Sequence, residues 1–339
     1  MIPHPVDLSD LRGERVAVDV FLNAYQFLTS LTGPDGRPLS HDGRVTAHLY
    51  GFLDRASSLI AHGIDPVFIF DGSPHDLKRE TLKDRRDRKN VARRKWEAAV
   101  EVNDMASAKK LGPQIAEYTP TMVQDTKRLF DLMGVTWVDA PMEAEGAAAV
   151  LCGQGEVSAV ASQDWDTLLY GAPTMIRNLT AHGTRKFGRV LSAERIELDE
   201  TLETLGIDMH QFVDLGIMIG TDFHPGFRGV GPKTGLKLIR NFRTLENVAE
   251  HKEIEVPSDI DLIRELFHNH PSVEAAIPDH TRGQEEGIVA MLRGELGFGE
   301  NRVKIAIERL ASANRLRSSS KPTPVSYTHL TLPTTCSVE

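Results

Sequence analysis

Seven acidic residues stand at the ends of apolar runs rather than among other charges: Asp19, Asp71, Glu143, Glu145, Asp164, Asp166 and Asp222. Burying an ionised carboxylate without a partner costs on the order of several kcal/mol. Such a set therefore needs compensating charge. Oxygen donors with no histidine or cysteine among them suit hard divalent cations, Mg²⁺ or Mn²⁺ as its substitute. Two such ions about 4 Å apart activate a water and stabilise both the attacking and leaving oxygens of a phosphodiester displacement. Any one of these acids has an ordinary explanation as a helix-end or loop residue. The whole set does not.

The surrounding runs say how these residues are held. "RVAVDV", "IDPVFIFDG", "VTWVDAP" and "EVSAVASQD" read as strands, and helical patterns separate them. Alternation of this kind predicts an α/β fold with a mainly parallel central sheet flanked by helices, whose ligands sit at the carboxyl ends of the strands. Asp19, Asp71 and the pair Asp164/Asp166 all fall at such ends. Residues two apart in a strand share a face, so Asp164 and Asp166 reach one point if the extended backbone continues. Glu143 and Glu145 diverge by roughly 200° in a regular helix. They share a site only at its first, irregular turn. Residues 44–62 carry a helical pattern, and from about 205 the chain reads as mostly helical.

Residues 77–96 hold ten basic side chains and three acidic ones. A solvated helix is the usual meaning of such a run. Here it directly follows Asp71, in a chain of net charge −9, and that placement favours phosphate binding. Lys78 and Arg85, seven apart, share roughly one helix face. A second helical segment, "VEVNDMASAKKLGPQIAEY", is expected to pair with the first as an arch. "GVGPKTGLKLI", 229–239, has glycine spacing for a helical hairpin whose backbone N–H groups grip a phosphate, with Lys233 and Lys237 adding charge. It lacks the G-K-[ST] ending of a Walker loop.

The totals exclude other classes. A chain of 339 residues, 40% hydrophobic and 26% charged, is an ordinary globular composition. Two distant cysteines, Cys152 and Cys336, argue against a disulfide framework or zinc site and for a reducing compartment. No signal-peptide or membrane-span pattern occurs, so an intracellular, cytoplasmic and nucleoid-associated protein is expected. After Leu316 the sequence loses periodicity, and "PVSYTHLTLPTT" looks like vector read-through rather than protein sequence.

In combination and order, "AVDVFLNAYQFL", "PVFIFDGSP", "APMEAEGAA", "SQDWDTLLYGAP", "IGTDFHPGFRGVGPKTG" and "EEGIVAML" closely resemble the flap endonuclease family, its archaeal members in particular. The match runs from about Pro3 to Leu316. It implies a PIN-like 5′-nuclease fold and a metal-dependent structure-specific nuclease, with 5′ flap endonuclease and 5′–3′ exonuclease activity in replication and repair. It further implies that the seven acids hold two Mg²⁺ ions and that Lys78 and Arg85 contact the scissile phosphate. Tyr25 matches an aromatic that stacks on a base beside that bond. Gly229, Gly231 and Lys233 match the hairpin that holds the downstream duplex, where family members also bind K⁺. The organisation implied is one 5′-nuclease unit, 1–316: an N-terminal region about 1–90, an arch about 77–120, an internal region about 121–222, a helix-hairpin-helix about 212–245, C-terminal helices to 316, and a disordered, non-native tail at 317–339.

Two departures stand out. Family members open with a Met-Gly segment placed near the metals, where this chain has "MIPHPVDL". They end in a peptide that docks on the sliding clamp, and none occurs here, so clamp binding by that route is not expected. Branched DNA is the expected partner of a monomer, with no membrane role. The rival readings are a non-catalytic binder of branched DNA and a PIN-type ribonuclease.

Overall fold

The computed structural model describes residues 2–186, 188–273 and 277–319. In chain order come β1 (His4–Val6), β2 (Arg15–Asp19), α1 (Val20–Ser30), the hairpin β3 (Ser40–His41) and β4 (Arg44–Val45), α2 (Ala47–Ala61) and β5 (Asp65–Phe70). Then follow α3 (Arg79–Glu101), α4 (Met105–Leu111), α5 (Pro120–Met133), β6 (Thr136–Asp139), α6 (Ala144–Gly153), β7 (Ala159–Ala161) and α7 (Asp166–Leu169). After β8 (Thr174–Arg177), the hairpin β9 (Arg185–Lys186) and β10 (Arg189–Val190), and β11 (Ala193–Glu197), the chain turns helical. These last helices are α8 (Leu198–Leu205), α9 (Met209–Ile219), α10 (Pro232–Phe242), α11 (Leu245–Lys252), α12 (Ile260–His268), α13 (Glu285–Val289) and α14 (Glu300–Ser319).

The main sheet has the order β1-β11-β8-β7-β2-β5-β6. Its five strands from β8 to β6 are parallel; at one edge β11 pairs antiparallel with β8, and β1 antiparallel with β11. The mainly parallel sheet expected from the sequence is the one that forms. Its strands read as near-continuous apolar runs because helices cover both faces. Ala17, Val67 and Ile69 belong to one core layer, with Ala144, Ala147 and Leu168. Their neighbours Val16, Val18, Phe68 and Phe70 belong to the other, with Leu28, Phe52 and Phe130. This period-two alternation, carried one step further, puts Asp19 and Asp71 on the α6 side of the sheet.

Local chemistry sets the helix ends. Thr119 caps α5 and Pro120 opens it, while Gly134, at φ 69°, closes it in the left-handed conformation. Asp208 and Gln211 form a reciprocal capping box on α9. α3 differs. Only Ala92 and Ala99 are buried along its 23 residues, about 35 Å of helix. It is tied down instead by its Trp96 indole, which donates to the Asp35 carbonyl at 3.0 Å, and by α4.

Several boundaries differ from the sequence expectation. The helix expected over 44–62 is α2, Ala47–Ala61, because Arg44 and Val45 pair with β3. The second arch helix is broken: α3 runs to Glu101, Asp104 caps a short α4, and Gly112–Ile115 form a 3₁₀ turn containing Pro113. α14 continues to Ser319, past the expected end at Leu316. The remaining tail lies outside the described residues. Among the described residues no helix is long and apolar enough to cross a membrane.

Candidate active site

Parallel strands deliver their carboxyl ends to one edge. In register, Asp19 lies opposite Ile69, Phe70 opposite Asp139, and Val18 opposite Ala161. β2 ends on Asp19, β5 exits into Asp71, β6 leads to Glu143 and Glu145, and β7 leads to Asp164 and Asp166. Asp222 arrives from the loop after α9.

Each acid is positioned by local structure. Asp19 caps α1, accepting the Leu22 amide at 2.9 Å. Asp71 accepts the Ala144 amide at 2.7 Å and so docks the first turn of α6 against β5. Glu143 is the residue before that helix and Glu145 lies in its first turn, as the sequence expectation required. Asp164 and Asp166 are not in a strand. β7 stops at Ala161, Asp164 sits in a loop, and Asp166 opens α7 with its amide donating to Asp164 Oδ1 at 3.1 Å. The two converge through a tight turn, because Ser162 ends the pairing by turning its hydroxyl to the Asp164 amide at 3.0 Å.

The electrostatics join all seven acids. Burial raises the Asp19 pKa, and Asp71 and Asp164 raise it further. Burial and then Asp164, Asp19 and Asp166 hold Glu145 well above the usual carboxylate range. Burial, Asp164 and Asp222 push Asp166 up to about 7. Asp71 is likewise raised by burial, with Glu143 and Asp222 adding to it. The side chains do not close on a single point. Among the described residues no group of three or more acidic, His or Cys side chains lies close enough together to hold a metal ion as placed.

Two cations answer this charge. Lys78 Nζ bonds Glu143 Oε2 and lies 3.2 Å from Asp222 Oδ2. Although burial lowers it, those two acids hold its ammonium above the usual value. Arg85 Nη2 reaches Asp222 Oδ1 at 2.5 Å and is otherwise exposed. Lys78 turns inward from that face, while Arg85 reaches Asp222 from an exposed position. Tyr25 is 38% exposed on α1, with Lys89 Nζ 5.9 Å from its ring centroid. At the hairpin, Gly229 has φ 79° and Gly231 caps α10. A Cβ at either would meet nothing within 4 Å, so both backbones face open space. Gly235 serves packing instead, since a Cβ there would lie 2.7 Å from Leu215 Cδ1.

The sequence reading missed supporting residues. The Ser162 hydroxyl also donates to Glu145 Oε1 at 2.9 Å, and the Thr81 hydroxyl donates to the Asp222 carbonyl at 2.9 Å. The Arg177 guanidinium lies 4.5 Å from the Trp165 ring, holding the turn between Asp164 and Asp166. Ser162 and Thr81 sit beside residues already singled out, which was the one available signal. Arg177 has no local signal at all.

Residues 2–92 match the family model of the XPG N-terminal domain and residues 134–222 that of the XPG I-region. The chain is 42% identical over 325 residues to flap endonuclease 1 of Methanosarcina barkeri, covering 93% of this chain and 95% of that protein. The solved flap endonuclease-1 from Methanococcus jannaschii superposes with a TM-score of 0.75 at 34% identity, over 94% of this chain and 98% of the other. The catalytic core of Rad2 in complex with DNA substrate shares the fold, with a TM-score of 0.71 at 22% identity over 91% of this chain and 96% of that one. Identity at this level across nearly the whole length allows one assignment: the chain belongs to the flap endonuclease family, structure-specific nucleases of DNA replication and repair that hydrolyse DNA phosphodiester bonds at 5′ flaps.

Proposed function

We propose that Asp19, Asp71, Glu143, Glu145, Asp164, Asp166 and Asp222 hold two divalent cations, Mg²⁺ by preference and Mn²⁺ as a substitute, and that the scissile phosphate of a flapped DNA is drawn onto them. Seven oxygen-donor side chains fit hard cations, and each cation bound would offset the burial cost and the mutual repulsion that raise Asp19, Glu145 and Asp166. When bound, such ions supply water activation and charge stabilisation. The residues do the rest. Lys78 and Arg85 exchange their carboxylate partners for phosphate oxygens and fix the strand for in-line attack. Tyr25, stiffened by Lys89, stacks on a base beside the scissile bond. The open backbone of Gly229 and Gly231, with Lys233, grips the downstream duplex, and its carbonyls offer a site for K⁺. The 5′ strand passes under or through the arch of α3 and α4, whose exposed basic side chains track its phosphates. The protein acts as a monomer, inside the cell, on chromosomal DNA. The complex of the Rad2 catalytic core with DNA substrate supports this partner class.

One observation carries the reading: Lys78 ties together acids from two separate loops at the edge where four parallel strands end. The test is incubation with double-flap DNA and Mg²⁺, read as cleavage position on a labelled 5′ strand. Cutting at the flap junction is expected. Bound but uncut DNA would favour a mere junction binder, and faster cutting of RNA would favour a PIN-type ribonuclease.

A further inference from the structure

We propose that His210 and His268 form a second metal site, for a borderline transition-metal ion such as Zn²⁺, Ni²⁺ or Cu²⁺, which clips α12 to α9. His210 lies in the first turn of α9 and His268 in the last turn of α12. Their nitrogens Nδ1 and Nε2 face each other at 3.1 Å. Their rings are 4.5 Å apart, inclined at 60°. A Zn²⁺ ion about 2.05 Å from each nitrogen would subtend an angle of about 98°, between square-planar and tetrahedral values. Imidazole pairs select these metals over Mg²⁺.

The surroundings favour a neutral His268 ring. Burial and His210 lower the His268 pKa, Arg264 lowers it too, and Asp214 and Glu265 oppose them. Arg264 is itself neutralised by Asp214, Glu246 and Asp261. Glu265 is exposed one helical turn before His268, in the Glu-x-x-His spacing that puts both on one face, but among the described residues no third acidic, His or Cys side chain joins the pair as placed. The pair is separate from the carboxylate cluster: it sits at the start of α9, whereas Asp222 follows its end, on the order of 16 Å away along the helix.

The experiment titrates Ni²⁺ and Zn²⁺ into the full chain under saturating Mg²⁺, which occupies the oxygen-donor cluster. It reads stoichiometry by calorimetry and nitrogen coordination by electron paramagnetic resonance of Cu²⁺. One ion per chain with two nitrogen ligands is expected, together with a raised Tm. His210→Ala and His268→Gln should each weaken binding at least tenfold, and the Mg²⁺-dependent cleavage rate should stay unchanged. Absence of binding at millimolar Ni²⁺ and Zn²⁺, or binding that survives both substitutions, overturns the site and leaves the pair as an internal hydrogen bond.

Discussion

Two acidic clusters in this molecule, each built around a buried aspartate, are handled in opposite ways. Around α9, Asp214 accepts Arg264 Nε at 2.7 Å, Arg264 Nη2 at 3.1 Å and the Leu245 amide at 3.0 Å, while Arg264 also reaches Glu246 and Asp261. Every charge there is met within the chain. At the sheet edge, seven acids share Lys78 and Arg85, and several of them are pushed toward protonation by burial and by one another. The first arrangement completes the fold. The second leaves acidic charge that Lys78 and Arg85 only partly meet.

Neutralising single members of the two clusters separates their roles. Asp166→Asn should cut flap cleavage by roughly a thousandfold or more, while DNA affinity stays nearly intact and metal-free stability holds or rises. Gel-shift and single-turnover assays on one preparation check this, and retained turnover would remove Asp166 from the catalytic set. Asp214→Ala should do the reverse, costing about 2 kcal/mol of stability by removing the buried partner of Arg264 and the acceptor of the buried Leu245 amide. The turnover of the molecules that remain folded should hardly change. Urea unfolding beside kcat measures it, and equal losses in both quantities would blur the distinction drawn here.

Lys78→Ala should touch both ledgers. Loss of the phosphate contact should lower kcat by on the order of a hundredfold with little change in KM, and the uncovered Glu143 and Asp222 should lower metal-free stability. A pure KM effect in steady-state kinetics would place Lys78 in substrate capture instead.

The smallest effect concerns pH. Free carboxylates titrate near 4, whereas folded, metal-free Asp166 titrates at about 7 and its neighbours are raised as well. Between those values the native chain holds more protons than the unfolded one, so this group's contribution to stability falls as pH rises from about 4 to 7. In EDTA, the Tm advantage of Asp166→Asn over the unaltered chain should grow from near zero at pH 4.5 to several degrees at pH 8, and Mg²⁺ should shrink it. A constant difference across that range would mean that Asp166 is not raised.

Much of the site was legible before any coordinates because its parts are local. Strand-end acids follow apolar runs, Glu143 and Glu145 straddle a helix start, and Lys78 follows Asp71 by seven residues. The Asp164/Asp166 geometry was misread because only the hydrogen bond from the Asp164 amide to Ser162 shows where β7 stops. The break between α3 and α4 was missed for a like reason: Asp104 and Pro113 lie inside an otherwise helical pattern.

Sequence alone determined the chemistry on offer: oxygen donors at strand ends, a basic helix beside them, and a glycine hairpin beyond. What it could not say is which buried acids find partners. "AVDVF" around Asp19 and "FVDLG" around Asp214 look alike along the chain, each an aspartate among apolar neighbours. Tertiary structure decided between them. It brought Arg264 from fifty residues away to Asp214, and brought more carboxylates to Asp19. Electrostatic energy depends on distance in space and on burial, and neither is written in the order of residues.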